Sequence, residues 1–341
     1  MKKIEKGYIF TSGAYALKNS QIKNYIDTDK KPEAGDVVYG EICHIGQHSN
    51  LENKSGRIHK IHNGTKALFV FANRYAPDYY EAFVPDTFSR EVDLLARSGL
   101  VGEVKTKNSL IKDPSRVKIL GYLSDEKGNI INTRNFPAIV PRKTEKVFPR
   151  AKMILVCGTA MNSGKSVAAA SICWALSKMG HTVKGSKITG TASLKDILHM
   201  NDAGADSFSD FTFLGYPTTY MLEEEEIVGI FNNIDLKFAN NPQNFWVVEF
   251  ADGINQRETE MLLLHPEVRK RIHRLVFCAN DAFGAIGGIE YLSERLDLVP
   301  DLISGVCTSS PLHMRELGKV THIPIFDSMN INIEEIKERI L

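Results

Sequence analysis

The chain has little of what marks several protein classes. Its five cysteines, Cys43, Cys157, Cys173, Cys278 and Cys307, are scattered, and none forms a C-x-x-C pair. That argues against a disulfide framework or a zinc ribbon; four of the five lie in apolar stretches, so they are expected as reduced core residues. The formal net charge is only +1, which leaves no global footprint for nucleic acid and no patch for an anionic membrane. No run of about 18 apolar residues occurs, and the basic start Met1-Lys2-Lys3-Ile4-Glu5-Lys6-Gly7 has no long apolar segment behind it. A soluble, cytoplasmic protein with neither nucleic-acid nor membrane partners is expected.

What is present is ordinary globular composition, 43% apolar and 24% charged over 341 residues, enough for about two domains. Residues 1–145 read as β-rich. Strands are predicted at 35–42, 56–61, 66–71, 101–105 and 117–123, with turn signals at Asn53-Lys54-Ser55-Gly56, His62-Asn63-Gly64 and Asp125-Glu126-Lys127-Gly128-Asn129. Short strands at this spacing predict a small barrel or sandwich. A helix is predicted near Ser89 to Ser98, with Val92, Leu94 and Leu95 on one face. The polar stretch Asn73 to Pro85, with three tyrosines, reads as a surface loop or as a substrate or partner surface. His44, His48, His59 and His62 have spacings that suit helical metal pairs, but they lie in strand and turn sequence, which disfavours a metal. The two prolines and charges of residues 135–145 mark a connector.

From residue 146 to 341 short apolar runs alternate with longer helical periods, predicting a mostly parallel sheet with flanking helices. Strands are expected at 153–157, 182–188, 245–249, 274–279, 302–307 and 324–326. The central stretch runs Met153-Ile154-Leu155-Val156-Cys157-Gly158-Thr159-Ala160-Met161-Asn162-Ser163-Gly164-Lys165-Ser166-Val167. A buried strand, a small-residue turn and a helix from Lys165 to Met179 arrive in the order a phosphate-binding loop needs. A helix N-terminus presents unpaired N–H groups, Lys165 a point charge and Ser166 a magnesium-binding hydroxyl. Five residues separate Gly158 from Gly164, whereas the strict pattern has four; a chance Gly-Lys-Ser turn is the competing reading.

Phe245-Trp246-Val247-Val248-Glu249-Phe250-Ala251-Asp252 is an apolar strand ending in carboxylates, suited to hold Mg²⁺ beside phosphates; Glu249 is the first candidate and Asp252 the second. Lys187, closing the strand after the loop's helix, is a second cation for a transferring phosphoryl group. Ser193-Leu194-Lys195-Asp196 has capping-box character and starts a helix. Asp202, Asp206 and Asp210 recur every four residues, as on one helical face, either functional or solvated. No Asn-Lys-x-Asp motif follows a strand, so ATP is favoured over GTP; Asn280-Asp281 is a partial echo, and Thr308 and Ser309 are candidates for base or ribose contact.

These residues resemble a known group. The loop from Gly158 to Ser166 is similar to the Gly-Thr-x5-Gly-Lys-Thr loop of dethiobiotin synthetase, which has the same interval. The resemblance extends to Lys187-Ile188-Thr189-Gly190, to Glu249-Phe250-Ala251-Asp252-Gly253, and to Ile303-Ser304-Gly305-Val306 with Ile323-Pro324-Ile325. Within this wider SIMIBI class of P-loop NTPases, the chain looks most like the DUF1611 family, whose members also carry a separate N-terminal domain. Ala160 stands where dethiobiotin synthetase has Asp and partition ATPases have Lys, so neither of those activities is implied. The resemblance implies ATP and Mg²⁺ binding, phosphoryl transfer to an acceptor or to water, and a homodimer or higher homo-oligomer.

The expected protein is therefore α/β: a P-loop NTPase domain at 146–341, preceded by a smaller β-rich domain at 1–145 that shapes an acceptor or partner site. The expected activity is that of an ATP-dependent ligase or kinase acting on a small carboxylate or amine; the alternative is a nucleotide-dependent switch or adaptor acting on a protein partner. Lys165, Lys187 and Glu249 are the candidate catalytic residues. Gly158, Thr159, Asn162, Ser163, Gly164, Lys165, Ser166, Val167, Thr308 and Ser309 would bind nucleotide, and Ser166, Glu249 and Asp252 the metal.

Overall fold

The computed structural model describes residues 1–140 and 145–341; Pro141, Arg142, Lys143 and Thr144 of the expected connector lie outside them. The described chain forms two compact units. The first comprises Met1–Val140 together with two short later segments, Thr191–Lys195 and Phe211–Met221.

Its strands in chain order are β1 (Lys2–Lys3), β2 (Ile9–Phe10), β3 (Asn24–Ile26), β4 (Val37–His44), β5 (Asn50–Glu52) and β6 (Ile58–Lys60). There follow β7 (Lys66–Phe71), β8 (Arg74–Tyr75), β9 (Tyr80–Phe83), β10 (Glu91–Ala96), β11 (Leu100–Lys107) and β12 (Ser115–Ser124). Hydrogen bonding runs β12-β4-β7-β11, and β10 pairs with both β11 and β12, which closes the five into a barrel. Closure removes exposed strand edges. All pairs around the ring are antiparallel except β7 with β11. Side chains alternate across a strand, so Ala67, Phe69 and Phe71, Val92 and Leu94, and Val117 and Ile119 converge on one core.

Two expectations fail here. Residues 91–96 form strand β10, not a helix, because Val92 and Leu94 also satisfy a two-residue period and both neighbouring strands take up its main-chain bonds. Asp93, between them, is held by Arg116 at 2.5 Å and by the main-chain N–H of Val104 at 2.9 Å. Residues 73–85 contain the hairpin β8–β9 instead of a loop. Arg74 is buried, lies 5.1 Å from the ring of Tyr79 and shares a 3.0 Å hydrogen bond with Nε2 of His48. Glu52, also buried, accepts hydrogen bonds from Ser12 Oγ at 2.5 Å and from the main-chain N–H of Leu194 at 2.9 Å.

The second unit is built on β13 (Lys152–Gly158), β14 (Val183–Lys187), β15 (Ser207–Asp210), β16 (Phe245–Glu249), β17 (Ile272–Cys278) and β18 (Leu302–Ser304). These form one sheet in the order β15-β14-β16-β13-β17-β18, every pair parallel. The helices are α1 (Lys165–Lys178), α2 (Leu194–Asp202, its first two residues counted with the first unit), α3 (Glu224–Phe238) and α4 (Arg257–Leu264). They continue with α5 (Pro266–Arg269), α6 (Ala282–Leu296), α7 (Pro311–Leu317) and α8 (Ile333–Ile340). The expected fold class, an α/β half with a parallel sheet and flanking helices after a β-rich region, is observed. Parallel strands covered on both faces read as continuous apolar runs, as 153–157 does. Ala168, Ile172 and Leu176 of α1 and Ile336 and Ile340 of α8 pack on Ile154, Val156 and Val276 of the sheet.

The aspartates do not share a helical face. Helix α2 stops at Asp202, Gly204 takes a left-handed φ of 98°, and Ser207–Asp210 is strand β15. The Asp206 carboxylate accepts the N–H of Val183 at 2.8 Å, and Asp210 is buried at a strand tip. Residues 324–326 make only an isolated parallel bridge, Ile303 to Ile325, and the strand expected to reach Cys307 ends at Ser304.

An ion cluster ties α3 to the residues that lead into β13 and β17. Asp235 of α3 is fully buried, with Arg150 Nη2 at 2.8 Å and Arg271 Nε at 3.2 Å. Removing one partner of such a cluster leaves buried charge uncompensated, so Asp235→Ala should lower unfolding free energy by about 3–5 kcal/mol in urea titration. In the first unit, burial and then the Arg74 charge push the pKa of His48 down to about 3. An unfolded chain would bind that proton near pH 6.5, so this contribution to stability is complete above that value and is lost as pH falls. Between pH 6.5 and 4.5 the wild type should lose on the order of 2 kcal/mol more than His48→Gln, measured by denaturant unfolding at each pH.

Candidate nucleotide-binding site

The carboxyl ends of neighbouring strands define the site. In register, Lys187 of β14 stands beside Glu249 of β16, Glu249 beside Val156 of β13, and Gly158 beside Cys278 of β17. The loop from Thr159 to Gly164 leaves β13 and enters α1, whose N-cap, Gly164, has φ 91°; Asn162 is also left-handed, at φ 63°. A Cβ on Gly158 would come within 2.5 Å of the Cys278 carbonyl, and one on Gly164 within 2.8 Å of Gly305 Cα. Main-chain bonds brace the loop on both sides: Thr159 N–H to Cys278 O at 2.9 Å, Ile254 N–H to Gly158 O at 2.9 Å, and Val306 N–H to Ser163 O at 3.2 Å. The result is a fixed cradle at the N-terminus of a 14-residue helix, where free N–H groups and the helix dipole favour an anion.

Two ammonium groups and two carboxylates meet there. Lys165 is buried, and its Nζ donates to the Ala160 carbonyl at 2.6 Å and the Asp252 carbonyl at 2.8 Å. Lys187 is also buried and forms an ion pair with Asp196 of α2. Burial alone would lower the Lys187 pKa, but the Asp196 and Glu249 charges outweigh it and raise the value. The hydroxyl of Ser166 lies 3.1 Å from Asp196 Oδ1 and 3.2 Å from Glu249 Oε1. One hydroxyl proton can serve only one of those acceptors. Glu249 is buried and its Oε2 has no hydrogen-bond partner among the described residues. Burial, and then the Asp196 charge, push its pKa up against the pull of Lys187 and Lys165.

Three hard oxygen donors sharing one proton, one carrying an orphaned buried oxygen, fit a divalent cation such as Mg²⁺. Among the described residues no group of three or more His, Cys, Asp or Glu is placed to hold a metal; this site has two carboxylates and a hydroxyl, which suits a cation that keeps much of its water.

Of the residues singled out from sequence, Gly158, Thr159, Asn162, Ser163, Gly164, Lys165, Ser166 and Val167 fall on the cradle and the first turn of α1. Lys187 and Glu249 stand at adjoining strand tips. Asp252, at φ 59°, reaches Lys165 through its main-chain carbonyl; the carboxylates at Ser166 belong to Glu249 and Asp196. In sequence Asp196 marks only a helix start, and its spacing after Lys187 carries no independent signal. Thr308 and Ser309 spend their hydroxyls on the carbonyls of Gly305 at 2.8 Å and Val306 at 2.7 Å. That segment meets the cradle through the main chain of Gly305 and Val306.

No protein-family model and no curated protein matches the chain. Among solved structures, a nucleotide-binding protein from Archaeoglobus fulgidus in complex with ADP aligns at 11% identity and TM-score 0.38, over 55% of this chain and 86% of that one. A ParA family ATPase from Chlorobium tepidum TLS aligns at 14% and 0.35, over 56% and 88%, and FtsY from Mycoplasma mycoides at 13% and 0.33, over 54% and 62%. Likeness this distant adds nothing to the geometry, which stands on its own residues.

The geometry separates Asp196 from Asp252. In a titration with Mn²⁺, used for its paramagnetism, in the presence of ADP, Asp196→Asn and Glu249→Gln should each weaken metal binding at least about tenfold. Asp252→Asn, which keeps the main-chain carbonyl, should weaken it less.

Proposed function

We propose that this chain is an ATP- and Mg²⁺-dependent phosphoryl-transfer enzyme of the dethiobiotin-synthetase-like class, acting as a ligase or kinase on a small carboxylate or amine. The observation that carries the reading is the Ser166 hydroxyl set between Asp196 and Glu249, with Lys165 and Lys187 beside them. In this reading the loop N–H groups and Lys165 hold the β- and γ-phosphates, and Ser166, Asp196 and Glu249 hold Mg²⁺. The metal, when bound, neutralises charge on the phosphate oxygens. Lys187 meets the charge that develops on the transferring group, held in a buried setting where a fixed cation counts for more than in water.

Adenine is preferred over guanine on one further ground. Asp281, the echo of a guanine-reading aspartate, instead caps α6 and accepts the N–H of Gly284 at 2.7 Å. A homodimer or higher oligomer belongs to the same reading.

The second reading, a nucleotide switch or adaptor, is favoured by one observation. The chain that continues beyond β14 and β15 enters the segments Thr191–Lys195 and Phe211–Met221, which fold with the first unit. A change at Lys187 or Asp196 would therefore be felt along covalent chain that belongs to the other unit.

Phosphate release from MgATP, alone and with a panel of small carboxylates and amines, tests both. A ligase or kinase turns over slowly alone and many-fold faster with its acceptor; a switch is indifferent to the panel. Lys165→Ala should cut turnover by about 10²-fold or more, and unchanged turnover and ATP affinity in that variant would sink the assignment.

A further inference from the structure

The first unit contains a cleft of about 410 Å³ that the nucleotide reading leaves unused, with Tyr8, Ile9, Phe10, Asn53, Lys54 and His59 among its walls. The size lies within the range of small-molecule sites, roughly 300–1,000 Å³. Lys54 supplies its charge. The Lys54 Nζ is 4.9 Å from the ring centroid of Phe10 and 5.2 Å from that of Tyr15, and it donates to the Leu17 carbonyl.

No carboxylate pairs with this ammonium among the described residues. Burial, and then the like charge of Lys18, hold its pKa below that of an ordinary lysine. A half-buried cation repelled by a neighbour and lacking a counter-ion is short of an anion, and two of its three N–H donors are left after Leu17.

The site is also built. Asn53 Oδ1 accepts the N–H groups of Ser55 and Arg57, both at 3.0 Å, closing a tight turn around Lys54. The Lys54 main-chain N–H is bonded to the Phe10 carbonyl at 2.8 Å, so cation and ring are fixed together. The His59 side chain keeps a buried Nε2 with no hydrogen-bond partner among the described residues.

We propose that this cleft binds a small organic monoanion, a carboxylate with a flat or aliphatic body, whose charge meets Lys54 and whose body lies against Tyr8, Ile9 and Phe10. One lysine on a half-apolar wall suits one negative charge with a hydrophobic remainder better than a multiply charged phosphate.

The test uses the full chain and isothermal titration calorimetry with sodium benzoate, benzamide and inorganic phosphate. Benzoate should bind at least tenfold more tightly than its neutral isostere benzamide and than phosphate. Lys54→Met should weaken benzoate at least tenfold with an unchanged melting temperature, and Lys165→Ala should leave benzoate binding unaltered, so that failure here is separable from failure of the nucleotide site. Should Lys54→Met not fold, histidine-labelled wild-type protein supplies the second measurement: benzoate, and not benzamide, should shift the His59 resonances. Equal binding of benzamide or phosphate, benzoate binding that survives Lys54→Met, or the absence of both heat and a His59 shift would overturn the proposal.

Discussion

A largely buried charge balance governs the second unit: two buried ammonium groups, Lys165 and Lys187, against the buried Glu249 and the half-buried Asp196, around one hydroxyl. None of these groups is stable there alone, because an isolated ion in a low-dielectric interior costs several kcal/mol. Each is tolerated because the sheet brings the others within reach. The parallel pairing of β14, β16 and β13 sets Lys187, Glu249 and Val156 side by side, and the short loops beyond those tips are tied to one another. The Thr189 hydroxyl accepts the Ala251 N–H at 2.7 Å, and the Ile188 N–H meets the Glu249 carbonyl at 3.0 Å. A constellation held in this way needs little rearrangement to meet an anionic ligand, which is what electrostatic preorganisation requires.

The first unit solves a different problem. A β-rich chain of this length must dispose of its strand edges, and β10 does so by pairing on both sides. The cost is that a charged residue, Asp93, is drawn into the wall, where Arg116 and a main-chain N–H offset its desolvation. Arg74 and His48 are a similar accommodation: a guanidinium set over the ring of Tyr79 is buried beside an imidazole kept neutral by its surroundings.

Local signals were legible where a single property of a contiguous segment decided the outcome. The apolar run of β13 followed by glycine, a basic residue and an alanine-rich helix could be read directly, because strand, turn and helix are consecutive. Residues 91–96 could not, since Val92 and Leu94 suit either period and only the presence of β11 and β12 on both sides selects a strand. The aspartates at 202, 206 and 210 misled for a related reason: their spacing fits a helix, but Gly204 ends it and Asp206 is recruited by Val183 across the sheet.

By itself the sequence determined the glycine-bounded loop between β13 and α1, the two strand-tip residues Lys187 and Glu249, and the β-rich character of the first half. These depend on interactions a few residues long or on a strand's own composition. The tertiary structure alone decided that Asp196 stands with Glu249 at Ser166 and that Asp252 contributes a carbonyl to Lys165. It also decided that the segments after β14 and β15 fold with the barrel. Those outcomes rest on where distant stretches of chain return, and the buried charges that result are stable only once they have.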